Sequence, residues 1–385
     1  MIVKKNFYFD LFEKGNIHPL YKTIFLRINK NSFVQNNKNN LENFKPHSFK
    51  YFPNYLDFKI SPDLKCKKIF QKHGYAANLN NCDSIENYIK KYFKSRFRNN
   101  IKRSVKRLDT CLNVNYKMFH SNINDNDYTF LMNAFHDLLK KRFEKLTVKN
   151  ITLNNWDFYY KNAQHLINNK KASLFVIYNE KEPIAFSLNF HFNTVFYFAI
   201  PTFDLDYSKF TLGNIVIYKN LEWCLNNGFD IFDMGYGGFE NKINWCNTTY
   251  NFEHHFIHKP KNILANLHIF ILKYKYKVFN YLISKNINTK FRALISSVKK
   301  GKKQKFIDYK LIKLENDYAF NNNNLALVVY NKTTNSNLIK PVCDFIYLNK
   351  EQINHIVTYK ILNESYSYLI KGKHSQVKIE LTNLA

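Results

Sequence analysis

Apolar residues at positions 85, 88, 89, 92, 93, 97, 101, 105 and 108 recur at i, i+3, i+4 spacing, which predicts a helix over 85–108 with one apolar face. Asp83 and Glu86 have the spacing of a capping box at its start. Two more helical stretches follow, near 125–145 and 154–168. The period then changes. The runs 172–178, 183–192 and 195–200 are rich in β-branched and aromatic residues, with turn residues between them, and read as a β-meander. In 214–228, Ile217, Leu221, Cys224 and Leu225 share a helical face while Lys219, Asn220 and Glu222 point outward; Asn227-Gly228 is the stop. A short buried strand, "FDIFDM", comes next, and 250–259 is one more strand. Residues 1–60 alternate strand-like runs with an Asn-rich loop. Residues 262–305 are basic and helical, ending in a linker-like "KKGKKQK", and the last eighty residues form a small β-rich appendage.

Glycine is scarce, yet five of the nine glycines fall between Gly213 and Gly238. The first stands where a loop enters a helix. Helix N-termini carry unpaired N–H groups and the positive end of the dipole. With Thr211 as cap, the N–H groups of Thr211, Leu212, Gly213 and Asn214 form a cradle for a pyrophosphate, although simple loop geometry also explains a glycine there. Gly235, Gly237 and Gly238 follow the next strand, at the end where open α/β sheets bind ligands. They let the chain turn and present Tyr236, Glu240 and Lys242; a tight turn with solvent-facing side chains is the alternative.

Charge adds a partner class. The formal net charge is +29, and nine of the eighteen residues from Lys90 to Arg107 are Lys or Arg. This suits a polyanion such as a nucleotide cofactor, tRNA, an anionic glycan or a membrane face; a lysine-coated soluble enzyme has the same composition. Six scattered cysteines without CxxC spacing fit reduced thiols rather than disulfides or zinc. The N-terminus has no long apolar stretch or cleavage signal, and 263–279 is too short and too interrupted to span a bilayer. A cytoplasmic protein without a transmembrane segment is therefore expected. Glu253, His254, His255 and His258 cluster, with His254 and His258 on one strand face and Glu253 and His255 on the other. Without an open-site motif, packing or substrate contact is expected of them and no metal. Arg142 is a candidate for an acceptor carboxylate or phosphate, and Asp204 and Asp206 are expected turn formers.

The run "YSKFTLGNIVIYKNLEWCLNNGFDIFDMGYGGFENKINW" resembles the GNAT-like acetyltransferase family associated with cellulose and other polysaccharide biosynthesis, itself related to the Fem-type aminoacyltransferases. Gly213 matches the family's loop glycine, and Asp233, Gly235, Gly237, Lys242 and Trp245 match its second motif. The upstream "GYAANLNNCDSIENYIKKYFKSRFRNNIKRSVKRL" resembles the family's strand and Arg-rich helix, so the likeness covers roughly 73–258. Gly238, Asn241 and Leu212 depart from the family's Asp, aromatic residue and Pro. The resemblance implies an α+β fold with a GNAT-like mixed sheet flanked by helices, in a tandem, partly degenerate arrangement. The expected units are a degenerate N-terminal GNAT-like half at 1–90, an acyltransferase domain at 91–260, a basic helical linker at 261–305 and the β-rich appendage at 306–385. It also implies acyl transfer from acetyl-CoA or another acyl-CoA, as co-substrate, to a small-molecule amine of a sugar, lipid or peptide precursor. Tyr236 is then the candidate proton donor to the leaving thiolate and Glu240 the base. Asp233 orders the turn or the acceptor, and Lys242 meets an anionic group. The alternatives are a Fem-type transferase using aminoacyl-tRNA, favoured by the charge, and a catalytically inactive fold that binds an anionic partner.

Overall fold

The structure, a computed structural model, describes residues 2–28, 32–34, 44–146, 150–237, 240–260, 263–285, 308–314 and 324–382. Strands and helices are numbered in chain order. One nine-stranded sheet organises the chain. From edge to edge it runs β1 (Val3–Asn6), β4 (His47–Pro53), β12 (Thr248–His258), β6 (Lys65–Asn78), β11 (Ile231–Tyr236), β10 (Val195–Phe203), β9 (Glu182–Phe192), β8 (Ala172–Asn179) and β7 (Val114–Phe119). Only β1/β4 and β10/β11 pair parallel; the other neighbours are antiparallel. One parallel pair thus sits in each half of the sheet, as a tandem duplication would leave it. A three-stranded sheet of β2 (Thr23–Leu26), β3 (Ser32–Val34) and β5 (Leu56–Lys59) packs beside the first half.

Alternation along the strands builds two cores, one on each face. Leu174 and Val176 of β8 face a core shared with α1 (Phe7–Phe12), α4 (Asp125–Leu146) and α6 (Trp156–Asn168). Phe175 and Ile177 face the opposite core, shared with α2 (Ile85–Tyr92), α3 (Ser95–Cys111) and α7 (Leu212–Asn226). The meander, both long helices between 125 and 168 and the strand at 231–236 fall where the apolar periodicity puts them. The helix expected over 85–108 is instead two helices, because Phe93 is extended (φ −122°, ψ 147°) and α3 restarts behind Lys94. Its cap is Ser84, whose side chain accepts from the Asn87 N–H, rather than Asp83. Asn220, expected to point outward, is fully buried and bonds Ser187 and the Val216 carbonyl, feeding a polar network between α7 and β9. That burial is tolerated because its polar atoms are paired.

Past residue 307, β13 (Asp308–Lys313), β14 (Leu325–Leu327), β15 (Val357–Ile361), β16 (Ser367–Lys371) and β17 (Gln376–Thr382) form a five-stranded antiparallel sheet, with α10 (Ile339–Asn349) against it. Leu338, Val342, Phe345 and Ile346 join the core that holds α3 and α7. Arg107 of α3 donates to the Tyr347 carbonyl, and Phe210 packs edge-on against the Tyr347 ring. Part of the basic α3 face is therefore a structural contact.

Candidate active site

β10 and β11 are hydrogen-bonded neighbours only at Val195–Tyr197 against Ile231–Asp233. Beyond that point they part, and two local irregularities explain why. The β9 register shifts between Phe198 and Ile200, so Ala199 is the extra residue of a bulge. The bulge inverts the facing of the strand: Phe196 and Phe198 belong to the α7 core, Ile200 to the α4 core. On the other strand Gly235 takes φ +67°, a conformation glycine adopts without strain, and the pairing of β11 with β6 is irregular between Asp233 and Tyr236.

The gap is a cleft of about 530 Å³ that reaches both faces of the sheet. Leu139, Arg142 and Phe143 of α4 line one side. Thr211, Gly213, Asn214, Val216 and Ile217 of α7, with Met234 and Lys242, line the other, and β10 from Phe198 to Phe203 forms the wall. Five of the residues singled out in the sequence (Arg142, Thr211, Gly213, Asn214 and Lys242) therefore meet in one cavity.

Their local chemistry is specific. Thr211 does not cap α7 with its side chain. Its backbone is left-handed (φ 56°) and its hydroxyl donates to Ser104 Oγ at 3.0 Å, linking α7 to α3. The Thr211 N–H goes to the Ser208 carbonyl and that of Asn214 to Thr211, and Leu212 and Gly213 stand between them in the first turn of α7. The Leu212 side chain is buried in the core. A Cβ at Gly213 would lie 3.0 Å from the Phe203 ring, so that ring would have to give by a few tenths of an ångström. Asn214 Oδ1 accepts from Trp245 Nε1 at 3.2 Å, so the helix entrance and the segment after the second glycine group are tied together. Lys242, on the short α8 (Glu240–Ile243), donates to the Met234 carbonyl at 3.1 Å; burial lowers its pKa, opposed by the charge of Asp233. Arg142 donates to the Pro201 carbonyl at 3.1 Å and lies over the Phe203 ring.

Asp233 sits beneath the cleft, fully buried. It accepts from the hydroxyls of Tyr8 (2.7 Å), Tyr55 (2.6 Å) and Tyr250 (2.7 Å) and from the Gly235 N–H (2.7 Å). Burial pushes its carboxyl up and these donors pull it back, leaving it above the ordinary value. The Gly235 bond joins Asp233 to the glycine turn. Tyr236 does not line the cleft: its half-exposed ring stacks on Tyr51 at 5.2 Å with the Lys72 ammonium 4.0 Å above it. The side chain of Glu240 and residue Gly238 lie outside the described residues.

A second carboxyl stands near Tyr236 that the sequence did not flag. Glu13 caps the C-terminal end of α1, is buried, and accepts from Tyr159 Oη at 2.6 Å. Burial pushes it up to about 7 despite that bond, and its charge acts on Tyr197 and Tyr236. The histidine cluster has other work. His255 lies within reach of Glu253 (3.1 Å) and Tyr21 and is stacked on Phe52, while His254 is shared by Ser48 and Tyr276. Among the described residues no group of three His, Cys, Asp or Glu side chains could hold a metal ion.

Residues 95–242 match a family model described as an acetyltransferase (GNAT) domain, a segment running from α3 to α8 that contains the whole cleft wall. The sheet, with its parted parallel pair, is GNAT-like. Similar solved structures include a conserved protein of unknown function from Bacteroides thetaiotaomicron (8% identity over 56% of this chain and 70% of that one, TM-score 0.40). FemX is another (11% identity, 58% and 74%, TM-score 0.39), as is L-PGS from Bacillus licheniformis (10% identity, 58% and 71%, TM-score 0.34). No curated protein matches the chain.

Proposed function

We propose that the protein is an N-acyltransferase that moves an acyl group from an acyl-CoA to an amine of a sugar, lipid or peptide precursor within this cleft. One observation supports the reading: a single cavity runs from the start of α7, at Gly213 and Asn214, to the opposite face of the sheet through the gap between β10 and β11. A phosphate at Leu212 and Gly213, with Lys242 beside it, leaves a pantetheine-like arm to thread the gap. The thioester carbonyl then lies against the Ala199 bulge, where an N–H released from the ladder can hold the oxyanion. The amine enters from the α4 side, past Arg142.

An alkyl ammonium ordinarily has a pKa of about 10.4, so it must lose a proton before nitrogen attacks. Glu240, which follows the glycine turn, is the candidate for that proton; Glu13, whose carboxyl burial pushes up to about 7, is held by Tyr159 and does not line the cleft. As the C–N bond forms and the C–S bond breaks, the sulfur leaves as a thiolate and takes a proton from water; Tyr236, stacked on Tyr51 outside the cleft, would have to turn toward it to serve as the donor. Asp233 acts by fixing the Gly235 turn.

A second donor is favoured by one feature. The Thr211–Ser104 bond sets α3 beside the cleft entrance, and Lys102, Arg103 and Lys106 of that helix are exposed, a surface that also suits the acceptor end of an aminoacyl-tRNA. Thermal shift and calorimetric titration with CoA, acetyl-CoA and total tRNA, at low and high salt, separate the two. Salt-resistant stabilisation by CoA compounds supports the acyl-CoA reading. Binding of tRNA alone, collapsing with salt through counterion release, replaces it with aminoacyl transfer or plain electrostatic binding. If none of the ligands binds, the inactive-fold alternative stands.

A further inference from the structure

α9 (Ile263–Ser284) follows β12 and is 22 residues long, about 33 Å of helix. Its inner side is fastened to the sheet. Tyr276 Oη accepts from Gln71 Nε2 at 2.8 Å and lies 2.9 Å from His254 Nδ1, and His268 packs on Phe256. The outer side carries a feature those contacts do not explain. Ile263, Leu267, Phe270, Ile271, Tyr274 and Tyr281 are 54 to 81% exposed. At about 100° per residue they fall within an arc of about 100°, a continuous apolar stripe facing solvent. With the exposed aliphatic neighbours the patch is on the order of 1,000 Å², beyond the few hundred Å² that soluble monomers ordinarily leave open.

The charges around the stripe point to its occupant. Lys273 and Lys277 border it on one side and Lys275 on the other, all exposed, and Lys285 follows its C-terminal end. From His254 to Ile307 the sequence holds thirteen Lys or Arg and no Asp or Glu. Two copies of this face packed together would set these lysine rows against each other, so a second copy is disfavoured electrostatically. A surface of apolar chains beneath a layer of negative phosphates satisfies both stripe and border. No described helix is long and apolar enough to cross a membrane, so α9 would lie along such a surface. We propose that α9 is a peripheral docking element for anionic lipid bilayers. This is independent of the acyl-transfer reading.

The test is co-sedimentation of the full chain with vesicles of phosphatidylcholine alone and of equal parts phosphatidylcholine and phosphatidylglycerol, at low and high salt, alongside light scattering without vesicles. The expected result is binding to the anionic vesicles, weakened by salt and reduced at least ~tenfold by the combined changes Leu267→Asp, Phe270→Asp and Tyr274→Asp. A second set, Lys273→Glu, Lys275→Glu and Lys277→Glu, removes no packed side chain and is expected to abolish the preference for anionic lipid while melting like the parent. Absence of vesicle binding by the parent overturns the proposal. So does binding that both variant sets retain in full. A dimer broken by the Asp set, without vesicle binding, overturns it in favour of a second copy.

Discussion

Replacing Glu13 by Gln tests the electrostatics of a buried carboxyl. Glu13 is buried with one oxygen held by Tyr159, and its carboxyl is pushed up to about 7 from an ordinary value near 4.5. The folded state therefore binds this proton more tightly than the unfolded chain. The stability this contributes is fully present below the unfolded value and is lost as pH rises through about 7. The difference corresponds to about 3 kcal/mol between the two ends of that window. Gln keeps an acceptor for the Tyr159 hydroxyl and cannot ionise, so it avoids the cost of a buried anion. Glu13→Gln is expected to match the parent at pH 4 and to be more stable by up to about 3 kcal/mol at pH 8, a rise in Tm of order 5 °C. Paired melting curves from pH 4 to pH 8 measure this, and subtracting one protein from the other isolates the single group from every histidine that titrates alongside. A Tm difference that stays constant with pH, or that favours the parent at pH 8, refutes the reasoning.

Three further outcomes follow from named contacts. Asp233→Ala strands three buried hydroxyls and the Gly235 N–H, and is expected to cost about 3–5 kcal/mol in denaturant unfolding, whereas Asp233→Asn, which keeps an acceptor, costs well under half of that. Equal losses would show that the tyrosine hydroxyls do not depend on that carboxylate. Gly74→Ala puts a Cβ 2.3 Å from Tyr250 Cζ and is expected to destabilise by about 1–3 kcal/mol, an effect that Tyr250→Ala in the same chain should relieve in a double-mutant cycle. Gly213→Val drives a branched side chain into Phe203 at the cleft entrance; CoA affinity measured calorimetrically should fall at least ~tenfold while the melting temperature moves little. Unchanged affinity would remove the start of α7 from the binding site.

What the sequence could reveal depended on how local the determinant is. The meander, α4, α6, α7 and β11 carry their own periodicity, and Gly213 and Gly235 advertise themselves in a chain with few glycines. The break at Phe93 was invisible because its apolar residues keep helical spacing across an extended residue. The Tyr8–Tyr55–Tyr250 cage around Asp233 was invisible for a different reason: its members lie far apart in the chain and meet only through sheet order. Nothing near Glu13 in "DLFEKG" marks it as buried; its character comes from Tyr159 and the neighbouring aromatic rings. Asn220 runs against the expectation that a polar helix residue faces out, because its partners Ser187 and Asn189 sit on β9.

The tyrosine cage also sets an order of events during synthesis. The hydrogen-bond acceptor of Tyr8 at 233, and the strand β12 on which its own side of the sheet rests, are made more than two hundred residues after Tyr8 itself. At typical translation rates of about 5–20 residues per second, α1 spends roughly 10–50 s outside the ribosome with Tyr8 and Phe12 unable to close on their partners Tyr197, Phe192 and Asp233. The first half of the sheet cannot finish folding before the second. A chaperone that binds exposed aromatic segments would find its target in α1, and that helix is the part whose premature collapse would cost the most yield.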